Sequence, residues 1–452
     1  MRQWKYLFMT SFIDIPDIPD GPAVLRNATV PACLIDNLPA TATVDADGLA
    51  SLEFRIENGR IAAISAAGSG GETGPGVDLR NSMVWPCFAD VHTHIDKGHI
   101  WPRQRNPDGT RPGALKSAEQ DRNANWNAED VHARMNFSLA CAYAHGTAAI
   151  RTHIDSTPPQ HKISWPVVSD IRDEWAGRIA LQTVCLEPIW GYADTGFGTE
   201  IADMMVEYGG ILGAVLNIQD NTDDLLDFVI GLAIDRGLDL DFHVDEMGDP
   251  AARSFDSIAE ALIRNDFGKP VNVGHCCSLA IRPPDEVAHA LDLAAKADLR
   301  VVSLPMCNMY LQDRPQPGAP ARTPRWRGVT ILHELKARGI PVAIASDNAR
   351  DPLYAYGDLD GLEVFTQAVR TAHLDYPIGD WPEAITRTPA DTMGLADIGR
   401  LKSGGPADMV IFRARSYSEL LCRPQHDRAV LRAGRAIDTM PPDYRELDTV
   451  VG

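Results

Sequence analysis

The chain has 452 residues and a formal net charge of −20, with 44% hydrophobic and 23% charged residues. This is the make-up of a globular chain with material for a large core, and it excludes a disordered one. The excess of carboxylates also excludes nucleic acid and anionic membrane surfaces as main partners, because nothing offsets phosphate repulsion.

The first 17 residues, MRQWKYLFMTSFIDIPD, carry a short apolar patch followed by Asp14 and Asp17, with no small-residue cleavage site. No signal peptide is expected. No apolar run is long enough for a membrane span. The eight cysteines contain no CxxC, and Cys276 and Cys277 are the one close pair. Neither a zinc ribbon nor a disulfide framework is indicated, so a reducing cytoplasm is the expected location.

Residues 22–85 hold β-like runs (AVLRNATVPACLI, LEFRIENGRIAAI) broken by Asn-Gly, Gly-Ser-Gly-Gly and Pro-Gly turns. The far end repeats the style in ADMVIFRA and RAVLRAGRAI. The expectation is one small β-sandwich domain built from both chain ends, residues 1–85 and 396–452, around a central unit of residues 86–395.

That unit opens on residues 85–98, WPCFADVHTHIDKG. The apolar run at 84–91 reads as one buried strand, and alternation sets His92 and His94 on the same face beyond it. Two imidazoles on one face can share a metal ion. Later strands end near His153 (TAAIRTH), Glu187 (IALQTVCLE), Asn217 (ILGAVLN), His243 (LDLDFHVDE), His275 (VNVGHCC), Pro305 (RVVSLP) and Asp347 (VAIASDN). Helical periodicity fills most intervals, as in AEDVHARMNFSLACAYAHG, DDLLDFVIGLAIDRG and DEVAHALDLAAKA. Eight strand–helix units imply an α/β fold, a (β/α)₈ TIM barrel with reactive groups at the C-terminal strand ends.

After the first strand, GHIWPRQRNPDGTRPGALKSAEQDRNANW is rich in Gly, Pro, Asn and Arg. It reads as a loop over the barrel mouth, a candidate lid. Trp101, Arg103 and Arg105 could touch substrate there; the plainer alternative is a solvated loop whose arginines meet only water.

His92, His94, His243 and Asp347 form a borderline N/O ligand set for one divalent ion, Zn²⁺ or Fe²⁺. Such an ion supplies hydroxide near neutral pH for attack on an electrophilic carbon. Glu246 can carry the water proton, and His275 can hold the hydroxide or the substrate oxyanion. Each has a plainer alternative: His275 a core histidine, Glu246 a charge at a helix N-terminus, Asp347 a strand-end cap. His153 and Asp155 are pocket-wall or supporting groups, with packing and capping as the alternative.

These segments resemble the amidohydrolase superfamily, and within it the bacterial cytosine deaminase group. HTHID at 92–96, RTHID at 151–155, FHVDE at 242–246 and SDNARDPLYAYG at 346–357 are similar to that group's strand-end motifs, as is LxxxNMYLQDR…PRWRGVTILHELKARGI at 304–340. The resemblance implies a mononuclear site with His92, His94, His243 and Asp347 as ligands, Glu246 as proton shuttle and His275 as a second catalytic group. It implies ammonia release from an amino-substituted heterocycle, a small molecule, and allows a homo-oligomer. Binuclear relatives use a carboxylated lysine after the fourth strand, where this chain offers Asn217, so cyclic-amide hydrolysis is the lesser alternative.

Three positions depart from that group: Glu187 for a glutamine, Asn348 for a second aspartate and Leu353 for a tryptophan. A carboxylate prefers a ring edge with two donors, because it repels a carbonyl oxygen. Leu353 leaves room for a larger ring, and Lys97 with the lid arginines could meet an acidic substituent. With Asn348, His153 and Trp101 as further pocket residues, the expected substrate is pterin-like or another 2-amino-4-oxo heterocycle, with cytosine or isoguanine next. Removal of another leaving group from a triazine-like ring uses the same chemistry. A non-catalytic metal-binding scaffold is the reading from another class, but it has no need of Glu246 and His275 beside four ligands.

Overall fold

A computed structural model describes residues 23–69, 74–216 and 222–452. The reading of the first 17 residues and the strand-end position Asn217 lie outside the described residues. Among those described, no helix is long and apolar enough to cross a membrane.

Five strands form first: β1 (Ala23–Pro31), β2 (Leu49–Glu57), β3 (Arg60–Ala66), β4 (Gly76–Asp78) and β5 (Met83–Pro86). Asn58 and Gly59 turn β2 into β3, both at positive φ (50° and 75°), the backbone that an Asn-Gly hairpin turn requires.

The central unit follows, with parallel strands β6 (Phe88–Thr93), β7 (Thr147–Asp155), β8 (Ala180–Leu186), β9 (Leu212–Leu216), β10 (Leu240–Val244), β11 (Val271–His275), β12 (Leu299–Ser303) and β13 (Val342–Ile344). Helices lie between them: α1 (Arg111–Asn125), α2 (Ala128–Ala144), α3 (His161–Glu174), α4 (Thr195–Tyr208), α5 (Thr222–Arg236), α6 (Ser254–Arg264), α7 (Pro284–Lys296), α8 (Pro305–Leu311) and α9 (Leu332–Ala337). β7, β10 and β11 are buried along their whole length, as expected of parallel strands covered on both faces. The ladders run β6-β7-β8 and β9-β10-β11-β12-β13. Parallel bridges Val184–Ile211 and Pro188–Val215 link β8 to the β9 region, and Thr93–Asp347 links β6 to the residues after β13.

The chain returns to the first sheet through β14 (Met409–Phe412), β15 (Ala429–Arg432) and β16 (Arg435–Ala436). The two chain ends thus share one sheet ordered β16-β15-β14-β5-β1-β2-β3, with β4 beside β1.

Two expectations need correction. The run at 84–91 is not one strand: β5 pairs antiparallel with β14 in the terminal sheet, whereas β6 pairs with β7. Cys87 N–H still bonds to Asp408 O (3.2 Å) beside β14, whereas Phe88 N–H bonds to Gly146 O (3.0 Å) beside β7, so the chain changes sheets there. The covering segment is not all loop either, because its second half is α1. Thr110 caps it by accepting from Gly113 N–H (3.1 Å), and Pro112 falls in its first turn.

Candidate active site

The strand ends bring His92, His94, His243, Glu246, His275 and Asp347 together, none more than 6% exposed. His243 Nε2 lies 3.1 Å from His92 Nε2 and 3.0 Å from His94 Nε2. Asp347 Oδ1 is 3.2 Å from His94 Nε2 and 3.7 Å from His92 Nε2. The backbone fixes this convergence, since Asp347 N–H donates to His92 O (2.9 Å) and His94 N–H to Asp347 O (3.1 Å). Gly274 makes room for it; a Cβ there would come within 2.6 Å of His92 Cε1.

Burial, reinforced by the neighbouring imidazoles, pushes His92 and His243 well below the usual histidine range; burial, then Lys97, does the same for His94. They are therefore neutral at physiological pH, with lone pairs available. Burial, with Glu246 close by, raises Asp347 well above the usual carboxylate range, and neither of its oxygens accepts a hydrogen bond. Neutral imidazoles beside an uncompensated buried carboxylate are the surroundings that a divalent cation satisfies. The residues present fit such an ion: ring nitrogens of His92, His94, His153 and His243 lie within 4.8 Å of one another, as do ligand atoms of His92, His275 and Asp347.

His275 sits in left-handed backbone (φ 71°), as do Cys276 (49°) and Asp347 (64°). Such conformations cost roughly 1–3 kcal/mol each in non-glycine residues and concentrate at functional sites. Asn308 Nδ2 donates to His275 Nδ1 (2.9 Å), which sets the proton on Nε2, and Nε2 has no partner. Burial lowers this imidazole to about 4, so it is a neutral donor.

Glu246 accepts at Oε2 from Arg111 Nε (2.5 Å), while Oε1, 3.9 Å from His275 Nδ1, has no hydrogen-bond partner. Burial pushes this carboxyl up, but Arg111 and His275 outweigh it and hold it below the usual range. Arg111 opens α1, so the helix brings a cation into the site from above. Sequence reasoning missed it; Thr-Arg-Pro, a helix-start signal inside a loop-like composition, was the available clue.

His153 lies within the histidine cluster. Its ring centroid is 4.2 Å from that of His92, and a ring nitrogen lies within 4.8 Å of those of His92, His94 and His243. Asp241, two residues before His243 on the same strand face, is 3.3 Å from His153 Nε2 and also accepts from Arg151 Nη1 (3.0 Å) and Asn272 Nδ2 (3.0 Å). A paired polar layer thus supports the cluster, as buried charges require. Asp241 also escaped the sequence reading, although strand alternation from His243 reaches it.

Glu187, after β8, is 2% exposed and accepts from Thr157 Oγ1 (2.8 Å). Burial, with Asp155 repelling it, raises its carboxyl to about 7. Asp155 is occupied by Lys97 and by Arg122 Nη1 (3.1 Å) of α1. Asn348 donates to Asp351 Oδ2 (2.6 Å), and Asp351 caps the turn at Leu353 and Tyr354. Leu353 packs with Ala114 and Ala118 of α1 and with Cys307 and Leu311 of α8, so helix α1 occupies the space beside this smaller side chain.

In the covering segment, Trp101 is partly buried and its backbone N–H donates to Arg350 O (2.9 Å). Arg105 is exposed. Arg103 neither meets only water nor points at a substrate: Asp121 (2.8 Å) and Asp130 (2.5 Å) hold its guanidinium, tying α1 to α2. Two carboxylates outcompete water for a partly buried guanidinium.

A family profile described as "Amidohydrolase family" matches residues 196–442. The chain is 51% identical over 429 residues to the pterin deaminase of Rhizobium rhizogenes, covering 95% of this chain and 97% of that one. Among solved structures, 5-methylcytosine deaminase from Klebsiella pneumoniae superposes with a TM-score of 0.76 at 22% identity, covering 93% of this chain and 98% of the other. N-isopropylammelide isopropylaminohydrolase from Burkholderia multivorans gives 0.72 at 24%, covering 92% and 98%.

Proposed function

The chain belongs to the amidohydrolase family, and from that premise we propose that it is a hydrolytic deaminase of a pterin-like 2-amino-4-oxo heterocycle, releasing ammonia. The observation that carries this reading is the likeness, along nearly the whole chain, to a pterin deaminase. The clustered histidines, Asp347 and Glu246 supply the matching chemistry.

His92, His94, His243 and Asp347 would hold the ion, zinc or ferrous iron by the N/O character of the set. When bound there, a divalent ion lowers the pKa of an adjacent water toward neutrality. Glu246 takes one proton from the attacking water through its free Oε1 and gives it to a ring nitrogen, then carries the remaining hydroxyl proton of the adduct to the departing amine. The water oxygen bonds to the ring carbon, the C–N bond breaks, and ammonia leaves. His275 donates from Nε2 to the oxygen on which charge collects. Glu187, accepting from Thr157, keeps acceptor capacity for the two N–H donors of a 2-amino-4-oxo ring edge. Asn348, His153 and Trp101 complete the pocket, and Leu353 shapes it through its packing on α1.

The strand order and the bridges beyond β8 and β13 support a closed (β/α)₈ barrel for residues 86–395. Contacts between the β2–β3 end of the terminal sheet and the stretch before β14, Ala407 N–H to Gly59 O (2.9 Å) and Ile61 N–H to Gly405 O (2.9 Å), support a sandwich-like unit from the described parts of residues 1–85 and 396–452. Eight unpaired cysteines fit a cytoplasmic location.

The test is ammonia release by the zinc- and iron-loaded protein from pterin, pterin-6-carboxylate, cytosine, isoguanine, creatinine and aminotriazines. Selectivity for the pterins is expected. A preference for cytosine would keep the reaction and overturn the substrate, and silence across the panel would overturn deamination.

A further inference from the structure

The third strand end bears a feature that substrate contact alone does not explain. Gly191, in the short 3-10 turn Ile189–Ala193 after β8, has ordinary backbone, yet a Cβ there would stand 2.1 Å from Glu187 Oε1, 2.9 Å from its Cδ and 3.0 Å from its Cγ. The Oε1 edge of the Glu187 carboxyl group therefore lies against the bare Cα of Gly191. On its other side, Thr157, in the loop after β7, donates from Oγ1 to Oε2 (2.8 Å). Backbone bonds hold both loops in place: Ser156 N–H to Leu186 O (2.9 Å), Gly191 N–H to Pro188 O (2.8 Å) and Val215 N–H to Glu187 O (2.9 Å).

We propose that Gly191 and Thr157 are positioning residues that fix the orientation of the Glu187 carboxylate and thereby set which heterocycle edge the enzyme accepts. The proposal rests on the reading of Glu187 as the substrate-facing acceptor. Thr157 consumes one lone pair of Oε2 in a defined direction, which leaves the remaining acceptor directions of the carboxylate fixed in space. Gly191 is required because any side chain would occupy the volume in which the carboxyl lies. The atom that such a side chain meets is the end of Glu187, not backbone, so the carboxylate moves and the turn stays.

The experiment uses the metal-loaded enzyme with pterin and cytosine as probes and follows KM, kcat, metal content and thermal midpoint in Gly191→Ala, Thr157→Val, Thr157→Ser and Glu187→Ala, singly and combined. Gly191→Ala and Thr157→Val should each raise KM for pterin by about tenfold or more with kcat changed less than about threefold, the pattern of lost binding geometry. Their pterin-to-cytosine preference should fall, Thr157→Ser should restore it, and Gly191→Ala should add nothing in the Glu187→Ala background. An unchanged KM in Gly191→Ala, while Glu187→Ala raises it, overturns the positioning role. Equal losses from Gly191→Ala with and without Glu187 mark a purely structural glycine and overturn it as well. If Glu187→Ala alone leaves KM unchanged, the reading of Glu187 fails and the proposal falls with it.

Discussion

Arg111 Nε and Glu246 Oε2 stand 2.5 Å apart, so the carboxylate assigned to carry protons is already ion-paired to the helix that covers the site. Burial raises Glu246 and the guanidinium reverses that effect. Replacing Arg111 by Met leaves burial unopposed on that side, so the carboxyl must pick up its proton at higher pH. The acidic limb of the kcat/KM profile should therefore move upward. A limb at its original pH in Arg111→Met would show that this contact does not control the protonation of Glu246.

Glu246→Gln preserves size and removes proton transfer. The variant should bind metal normally and lose about two or more decades of turnover, the usual worth of general acid–base catalysis. Steady-state ammonia release together with elemental analysis reads both quantities. Near-normal turnover removes Glu246 from the chemistry.

His243 Nε2 faces both His92 Nε2 and His94 Nε2. His243→Ala should lower metal content after dialysis against a chelator. Chelation of the unaltered protein should lower its thermal midpoint, because the ion then no longer stabilises the buried Asp347 carboxylate. A full metal complement in the variant sinks the ligand assignment.

Glu187 titrates near neutrality. Burial raises it to about 7, so it is protonated on average below that pH and a carboxylate above it. Only the carboxylate accepts from both donors of the ring edge. KM for a 2-amino-4-oxo substrate should accordingly rise as pH falls through about 7. Glu187→Gln should flatten that dependence; a pH profile of KM in both proteins decides it.

The strand ends were legible because the parallel strands are short, mainly apolar runs, and because every second residue shares one strand face. That logic reached His92, His94, His243, His275 and Asp347. It did not reach α1, whose Gly, Pro and Asn content reads as loop; the helix is held by Arg103 on its Asp121, by its own Arg122 on Asp155 and by the apolar contact of Ala114 and Ala118 with Leu353, all contacts made outside the helix. Nor did it reach Asp241, whose bonds to Arg151 and His153 cross between strands that do not pair with each other. The tight contact of Gly191 with Glu187 has no local signal, because that glycine's backbone is ordinary.

The change of sheets at Cys87 has a practical meaning for anyone cutting the gene. With a single residue between β5 and β6, the strand that leads into His92 is anchored upstream by pairing with β14, more than 300 residues away in sequence. Trimming the chain before β14 would strip β5 of that partner and loosen the frame of the first histidines. The two parts of the terminal sheet should therefore be kept or removed together.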